Sequence, residues 1–260
     1  MEVVIVGSDV QAGQVVADAV TQAMAAGART LGLATGSSPL SAYRELARRH
    51  REEGLSFAAL QAFLLDEYVG LPAAHPQSYA AFIRAELVDH VDLDPQRVHS
   101  PDGAAPDVLA EALRYDEMIA RSGPVDVQVL GIGANGHVGF NEPGSSLRSR
   151  TRVKTLTEQT RRDNARFFEG NLAQVPRHVI TQGLGTIGDA RHLVLTAAGA
   201  HKAAAVAAAV EGPLSASCPA SVLQLHPHVT VVVDEAAAGG LRHADYYRYV
   251  IDHKLTEQGY

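Results

Sequence analysis

The sequence lacks tryptophan and has only one cysteine among its 260 residues. Cys218 therefore has no partner for an internal disulfide, as is typical of proteins kept in a reducing compartment. No apolar run approaches the ~20 residues that a membrane-spanning helix needs. Residues 1–8 form a short apolar run without a basic leader or a cleavage site, so we expect no signal peptide. These absences favour a cytoplasmic protein with no membrane partner.

Positive charge is also scarce. The 22 Lys and Arg residues face 29 Asp and Glu residues, and the formal net charge of −7 argues against nonspecific binding of nucleic acid. Among 12 histidines, His226 and His228 form the tightest pair, but no acidic or thiolate residue accompanies them at a metal-site spacing. We therefore expect no metal and no nucleic-acid partner.

The rest of the composition is that of an ordinary globular protein, 46% hydrophobic and 20% charged. About seven short apolar runs have the length of buried strands, and most are followed by a helical pattern. The sequence predicts an α/β fold with one doubly wound, mostly parallel sheet and helices on both faces. No linker, low-complexity stretch or repeat divides the chain. We expect a single domain over residues 1–260, with a helical tail at about residues 241–260.

The stretch VQVLGIGANGHVGFNEPG, residues 127–144, joins a buried-strand pattern to a glycine-rich loop. Its three closely spaced glycines let a backbone turn sharply and approach a ligand. His137 and Glu142 follow, and ligands of open α/β sheets bind just beyond the carboxyl ends of the strands. The pattern indicates a functional site, although it also fits a glycine-rich turn with a surface histidine.

A second strand leads into ATGSSP, residues 34–39, ahead of a predicted helix over residues 40–51. A small-residue turn before a helix with Pro in its first turn leaves backbone N–H groups free at the positive end of the helix dipole. Thr35, Ser37 and Ser38 add hydroxyl donors. The turn lacks the lysine of a P-loop. It therefore fits a phosphate site, and equally an ordinary βα turn with a well-capped helix.

Charged residues elsewhere could face the same crevice. Asp66 and Glu67 follow a third predicted strand, where an acidic pair points towards a ligand or else caps a helix or lies in solvent. Beyond residue 144 the chain turns basic, and arginine suits bidentate phosphate contact, although clustered arginines are usually solvated. Lys202 lies in the predicted first turn of an alanine-rich helix, where a nearby anion would offset its unfavourable interaction with the dipole.

Several of these segments resemble glucosamine-6-phosphate deaminases: GLATGSSPL, LLDEYVGLP, GIGANGHVGFNEPGSSLRSRTRVKTLT, RFF, GAHKAAA and LQLHPHVTVVVDE. The resemblance runs in order from about residue 30 to 235, and DEYVGL and GHVGFNEP are specific to this family within its superfamily. It implies a modified Rossmann-like sheet and an enzyme without a cofactor. The implied reaction converts glucosamine 6-phosphate and water into fructose 6-phosphate and ammonia, so the implied partner is a small amino-sugar phosphate.

The resemblance also implies catalytic roles. Asp66 matches the carboxylate that moves a proton between C2 and C1 of the sugar. His137 suits ring opening, since imidazole exchanges protons near neutral pH, and Glu142 could fix its tautomer. Asn135 occupies a position where many relatives have an aspartate that assists this histidine. The resemblance therefore leaves open how proton transfer through His137 depends on pH. It does not change the implied reaction.

The same resemblance assigns the phosphate contacts. These are the turn residues and two cations: Thr35, Gly36, Ser37, Ser38, Arg166 and Lys202. Some relatives are hexamers activated by N-acetylglucosamine 6-phosphate, and others are monomers. Four residues match their allosteric site: Ser145, Ser146, Arg152 and Lys154. Tyr247 and Tyr249 flank the position of the allosteric tyrosine without occupying it, so regulation and a homo-oligomer stay open.

Two other classes share part of the pattern. The 6-phosphogluconolactonases have the fold and a Gly-x-Gly-x-x-Gly-His loop, but they lack DEYVGL and FNEPG. Non-catalytic sugar-phosphate sensors occur fused to DNA-binding domains in some repressors. We expect no such fusion here, because the first predicted strand begins near residue 3 and the chain is acidic.

Overall fold

Short strands rich in Val, Leu and Ala form two sheets in the computed structural model, which describes residues 1–255 and 258–260. The strands in chain order are β1 (Glu2–Val6), β2 (Thr30–Leu33), β3 (Gln61–Leu64), β4 (Asp66–Tyr68), β5 (Val98–His99), β6 (Val127–Leu130), β7 (Arg152–Thr155), β8 (His178–Thr181), β9 (His192–Ala197) and β10 (Val229–Asp234). The large sheet has the order β1-β10-β9-β6-β2-β3-β5, and all its neighbouring strands are parallel.

Helices cover both faces of this sheet, as predicted. They are α1 (Asp9–Ala25), α2 (Leu40–Glu53), α3 (Tyr79–Glu86), α4 (Val108–Arg121), α5 (Glu158–Asn164), α6 (Leu184–Gly188), α7 (Ala203–Val210), α8 (Glu235–Ala238) and α9 (Ala244–Asp252). One apolar core lies beneath α1, α2 and α3, and a second lies beneath α4, α6, α7 and α8. The doubly wound α/β architecture is therefore confirmed.

The order of the sheet fixes where a ligand can bind. From β2 the chain continues outwards to β3 and β5, whereas from β6 it continues to β9 and β10 on the other side. The adjacent strands β2 and β6 therefore form the topological switch point. A crevice opens beyond their carboxyl ends, where open α/β sheets bind ligands. Both predicted site loops, residues 34–39 and 131–144, leave the sheet at this point.

The sequence did not predict the second sheet, in which β4, β8 and β7 pair antiparallel in that order. Its strands have only three or four residues each, and β7 carries two basic side chains, so none has a strong hydrophobic pattern. This small sheet extends from the carboxyl end of β3 and forms one wall of the crevice.

Two predicted elements differ in detail. Lys202 lies in a 3₁₀ turn, Ala200–Lys202, that precedes α7 rather than in the helix itself. In the predicted tail, only Ala244–Asp252 forms an α-helix, and residues 256 and 257 lie outside the described residues. Within the described part of the chain, no helix is long and apolar enough to cross a membrane.

Candidate active site

A cavity of about 700 Å³ occupies the crevice at the switch point. Most of the residues predicted for catalysis and phosphate binding line it: Thr35, Gly36, Ser37, Ser38, Asp66, His137, Arg166 and Lys202. Asn135 and Glu142 do not line the cavity but contact one another behind His137. The remaining predicted residues, Ser145, Ser146, Arg152 and Lys154, lie outside the cavity wall.

The turn after β2 has the features of an anion site. Gly36 adopts φ +92°, a left-handed conformation that favours glycine, and α2 begins four residues later. The Tyr43 hydroxyl accepts from the Ala34 amide at 3.0 Å and donates to the Ala34 carbonyl at 2.7 Å, which fixes the start of the turn. Within the described residues, the backbone amides of residues 35–38 have no protein acceptor. They are free to bind an anion at the positive end of α2.

Two cations, Arg166 and Lys202, line the same cavity as this turn. Lys202 is half-buried, and its Nζ donates to the Ile132 carbonyl at 2.6 Å. Burial lowers the pKa of Lys202, Arg166 lowers it further, and Asp163 opposes the shift. The Arg166 guanidinium lies 4.7 Å above the ring of Phe167 and is exposed. A bound phosphate would offset the repulsion between the two cations, since an anion favours the charged form of Lys202.

The acidic pair in β4 divides its two side chains between the faces of the strand. Asp66 lines the cavity, while Glu67 points away and accepts hydrogen bonds from the amides of Tyr68, Tyr79 and Ala80 at 2.8, 3.0 and 3.0 Å. Glu67 therefore caps α3, which is the alternative interpretation of the acidic pair, and the prediction that the pair points into the crevice is wrong for Glu67. The alternation of side chains along a strand explains the division.

Asp66 is buried, and this burial is the main reason that its pKa lies well above the ordinary value of 3.8. The neighbouring Glu67 charge raises the pKa further, and the Thr181 hydroxyl opposes the shift. A carboxylate that holds its proton more tightly is a stronger base once ionised. The position of Asp66 thus suits it to remove a proton from a ligand in the cavity.

The glycine-rich loop holds His137 against Glu142. At Gly133 a Cβ atom would lie 2.2 Å from Cε1 of His137, so only glycine leaves room for the ring. Nδ1 of His137 lies 3.5 Å from Oε2 of Glu142, close enough for an ion pair once the imidazole is protonated, and this nitrogen has no hydrogen-bond partner within the described residues. With Nδ1 facing Glu142, the imidazole borders the cavity, as proton exchange with a ligand requires.

Glu142 is itself buried and firmly held. Asn135 Nδ2 donates to its Oε2 at 2.6 Å, and the Thr160 hydroxyl donates to its Oε1 through a short hydrogen bond. Burial raises the pKa of Glu142, but His137, Thr160 and Asn135 outweigh this effect and lower the pKa to about 2. Glu142 is therefore a fixed negative charge behind His137 at any pH near neutrality.

Sequence reasoning missed a cluster of aromatic residues in the cavity wall. Tyr68, Tyr79, Phe140 and Phe168 line the cavity, together with the Asn164 amide. Tyr68 lies two residues after Asp66 in β4, so strand alternation alone would have placed it on the cavity side. The sequence held no comparable signal for Asn164, which arrives from α5.

The residues that match an allosteric site have unusual surroundings. Arg152 and Lys154 are two residues apart in β7 and therefore share a face of the strand. Nη2 of Arg152 and Oγ of Ser145 are buried, and neither has a hydrogen-bond partner within the described residues. Burial lowers the pKa of Arg152. These residues do not line the cavity, but Arg152 is in register with Thr181 of β8, which is in turn in register with Asp66.

Comparisons with known proteins agree with this geometry. Residues 9–232 match the family model for glucosamine-6-phosphate isomerases/6-phosphogluconolactonase. The chain is 64% identical to the glucosamine-6-phosphate deaminase of Rhodococcus jostii (strain RHA1) over 260 residues, which is all of both chains. It is 55% identical to the glucosamine-6-phosphate deaminase of Streptomyces coelicolor (strain ATCC BAA-471 / A3(2) / M145), again over the full length of both.

One solved structure supports the same assignment, and a second shows the same fold. A monomeric glucosamine-6-phosphate deaminase superimposes with a TM-score of 0.90 at 41% identity, covering 92% of this chain and 100% of that one. A 6-phosphogluconolactonase from Trypanosoma cruzi has a TM-score of 0.75 at 21% identity, covering 93% and 97%, which shows a shared fold only. The chain belongs to the glucosamine-6-phosphate deaminase family.

Proposed function

We propose that this protein converts glucosamine 6-phosphate and water into fructose 6-phosphate and ammonia. The observation that carries the proposal is the content of one cavity. An anion-binding turn and two cations lie in the same cavity as a histidine with its carboxylate and a separate buried aspartate. The family assignment supports the same reaction, since full-length relatives at 55–64% identity carry this enzyme's name.

The phosphate binds at the turn of residues 35–38, where free amides and hydroxyls meet Arg166 and Lys202. It takes no part in bond-making. Its binding energy positions the sugar, as contacts with remote parts of a substrate often do. Each charge-assisted hydrogen bond to the phosphate contributes ~1.5–3 kcal/mol.

His137 opens the pyranose ring by moving a proton between O1 and O5. Its imidazole borders the cavity, and Glu142 stabilises the imidazolium that forms when the imidazole takes up the proton from O1. Asn135 and Thr160 keep the Glu142 carboxylate in place during this step. His137 thus transfers the proton while Glu142 orients and stabilises the imidazole, as a buried carboxylate does for the catalytic histidine of other enzymes.

Asp66 then acts on the open-chain aldehyde. Its carboxylate removes the proton from C2 while the substrate's ammonium group passes a proton to O1, which gives an enolamine. The resulting acid returns its proton to C1, which gives the protonated ketimine. Water adds to C2 of the ketimine and ammonia leaves, so that fructose 6-phosphate remains. The raised pKa of Asp66 suits both halves of this transfer, because the same group must take up and then release the proton.

We also propose a second ligand site at Ser145, Ser146, Arg152 and Lys154. The buried, unpartnered atoms of Ser145 and Arg152 support it, since a polar group left without a partner costs ~1–3 kcal/mol and an anionic ligand would satisfy both donors. If N-acetylglucosamine 6-phosphate binds there, it should lower the KM for substrate. Arg152→Ala should remove that effect and leave the activity measured without this ligand unchanged.

Cellular setting and assembly follow as further proposals. The single cysteine supports a cytoplasmic enzyme. The continuous family match over residues 9–232 supports a single domain. A relative at 41% identity is monomeric, whereas the family resemblance also implies hexamers for some members. Size-exclusion chromatography with light scattering would give the oligomeric state directly.

The function is tested by ammonia release from glucosamine 6-phosphate, measured beside the hydrolysis of 6-phosphogluconolactone. We expect ammonia and fructose 6-phosphate in equal amounts from the first substrate. Turnover of the lactone alone would overturn the proposal in favour of the other branch of the superfamily.

A further inference from the structure

The hydroxyl of Tyr68 is a junction between two elements of the cavity wall. It accepts a hydrogen bond from Nδ2 of Asn164 at 2.8 Å and another from the Tyr79 hydroxyl at 3.1 Å. Asn164 ends α5, and Tyr79 begins α3. Tyr68 is only 1% exposed, and its ring centroid lies 4.8 Å from that of Tyr79. A buried hydroxyl with two partners holds both elements in one geometry.

Tyr68 also contacts the chain on the far side of Arg166. The ring of Phe168 packs edge-on against Tyr68, with centroids 5.7 Å apart and an angle of 79° between the planes. Asn164 and Phe168 are two residues before and two residues after Arg166, and a 3₁₀ turn, Ala165–Phe168, joins them. Tyr68 thus contacts both ends of the short segment, residues 164–168, that carries Arg166.

Arg166 has few other restraints. Its guanidinium rests on the neighbouring Phe167 ring, the side chain is exposed, and no ion pair involves it within the described residues. The position of Arg166 over the cavity therefore depends on how its segment is held. That segment is held by Tyr68 through one hydrogen bond and one aromatic contact.

We propose that Tyr68 is a positioning residue that sets the distance between the phosphate contact at Arg166 and the base at Asp66. Asp66 and Tyr68 are two residues apart in β4, and both line the cavity. A single rigid strand therefore carries the base and, through Tyr68, locates the phosphate contact. The inference rests on the proposed function, because it assigns Arg166 to the phosphate.

Removal of the Tyr68 hydroxyl leaves Arg166 chemically intact but frees one end of its segment. A neutral hydrogen bond of this kind contributes enough that its loss weakens sugar-phosphate binding about three- to tenfold. The loss should depend on Arg166 being present. In an Arg166→Ala background the arginine side chain that Tyr68 positions is absent. The loss of binding affinity in the double variant should therefore be smaller than the product of the two single losses.

The test is a double-mutant cycle of Tyr68→Phe and Arg166→Ala, read as the Kd of fructose 6-phosphate by calorimetry and as the KM for glucosamine 6-phosphate. Tyr247→Phe is the matched control, since its hydroxyl donates to Glu211 and does not line the cavity. Asn164→Ala removes the other partner of the same hydrogen bond and should have the same effect as Tyr68→Phe. It therefore provides the test if the Tyr68→Phe variant folds poorly.

We expect Tyr68→Phe and Asn164→Ala each to weaken binding about three- to tenfold in the wild-type background and less than twofold beside Arg166→Ala. Independent, multiplying losses would overturn the proposal, as would unchanged binding in both variants. The calorimetric cycle needs no turnover. Coupling without ammonia release would contradict the proposed reaction alone, whereas ammonia release without coupling would contradict the positioning role alone.

Discussion

Nδ2 of Asn135 donates a 2.6 Å hydrogen bond to Oε2 of Glu142, the same oxygen that lies 3.5 Å from Nδ1 of His137. The other end of the Asn135 side chain, Oδ1, accepts from the backbone amide of His137 at 3.2 Å. Asn135 therefore acts on the histidine through Glu142 and through the loop, without touching the imidazole. In this protein one carboxylate, Glu142, supplies the negative charge on that side of the ring.

The first prediction replaces this amide with a carboxylate. Asn135→Asp removes the donor to Glu142 and adds a second negative charge near His137, which favours the imidazolium. The limb of the kcat/KM profile that depends on His137 should therefore move to higher pH. Asn135→Ser is the control, because it removes the amide without adding charge. An unchanged profile in Asn135→Asp would contradict the described link between Asn135 and the histidine.

The second prediction removes the charge behind the histidine. Glu142→Gln leaves His137 without a carboxylate partner, so the same limb should move to lower pH. The value of kcat/KM should fall about tenfold or more, because the imidazolium formed in ring opening loses the charge that stabilises it. The reaction should also be run from fructose 6-phosphate and ammonia, which starts from a ketose. A Glu142→Gln variant with wild-type behaviour would show that the His137–Glu142 pairing has no role in ring opening.

Glu142 also makes a stability prediction. Its pKa is about 2 in the folded protein, below the ordinary value of 4.5. A lowered folded pKa means that the ionised group stabilises the fold above the unfolded value, and that this contribution is lost as pH falls from about 4.5 towards 2. Thermal unfolding of Glu142→Gln and wild type should therefore differ at pH 7 and converge near pH 2. A constant difference across this range would contradict the assignment.

The two cations at the turn give a prediction about substrate. Arg166→Ala and Lys202→Ala should each lower kcat/KM for glucosamine 6-phosphate by tenfold or more, since each removes a charge-assisted contact of ~1.5–3 kcal/mol. Residual activity on unphosphorylated glucosamine should change far less. Arg162→Ala is a suitable control, because Arg162 pairs with Glu158 on the exposed side of α5. Equal losses on both substrates would assign Arg166 and Lys202 to the fold instead.

The sequence predicted the parts of this site that follow from local pattern. The turn at residues 34–39 and the loop at 131–144 each follow an apolar strand, and the parallel arrangement of such strands brings their carboxyl ends to one edge. Asp66 was predicted because it directly follows a third strand. These predictions needed only the order of strands and turns, which is visible along the chain.

The remaining parts depend on contacts between distant segments. Asn164 reaches Tyr68 across 96 residues of sequence, and the small sheet pairs β4 with β8 although neither strand has a marked hydrophobic pattern. The separate roles of Asp66 and Glu67 depend on tertiary packing, because the first amides of α3 lie beside Glu67. No periodicity in the sequence encodes such pairings, because they are set by tertiary packing.

The Asp66 carboxylate that we assign to catalysis should lower the stability of the fold at neutral pH. Its folded pKa lies above the ordinary 3.8, so its ionisation opposes folding once pH rises above that value. Asp66→Asn removes this cost and should raise Tm at pH 7 by about 2 °C or more, with the gain vanishing below pH 3.8. Glu67→Gln, the adjacent acid-to-amide change, should raise Tm less, because two α3 amides and the Tyr68 amide donate to the Glu67 carboxylate and oppose the effect of burial, which raises its pKa.

The central claim is that Asp66 transfers the proton between C2 and C1, and turnover of glucosamine 6-phosphate by Asp66→Asn tests it most directly. The variant should lose at least ~10²–10⁴-fold in kcat, as expected when a general base is removed, while its Kd for fructose 6-phosphate stays close to that of the wild type. Glu67→Gln, measured in parallel, should keep most of its turnover. An Asp66→Asn variant that binds the sugar phosphate and turns over at a near-normal rate would contradict the account.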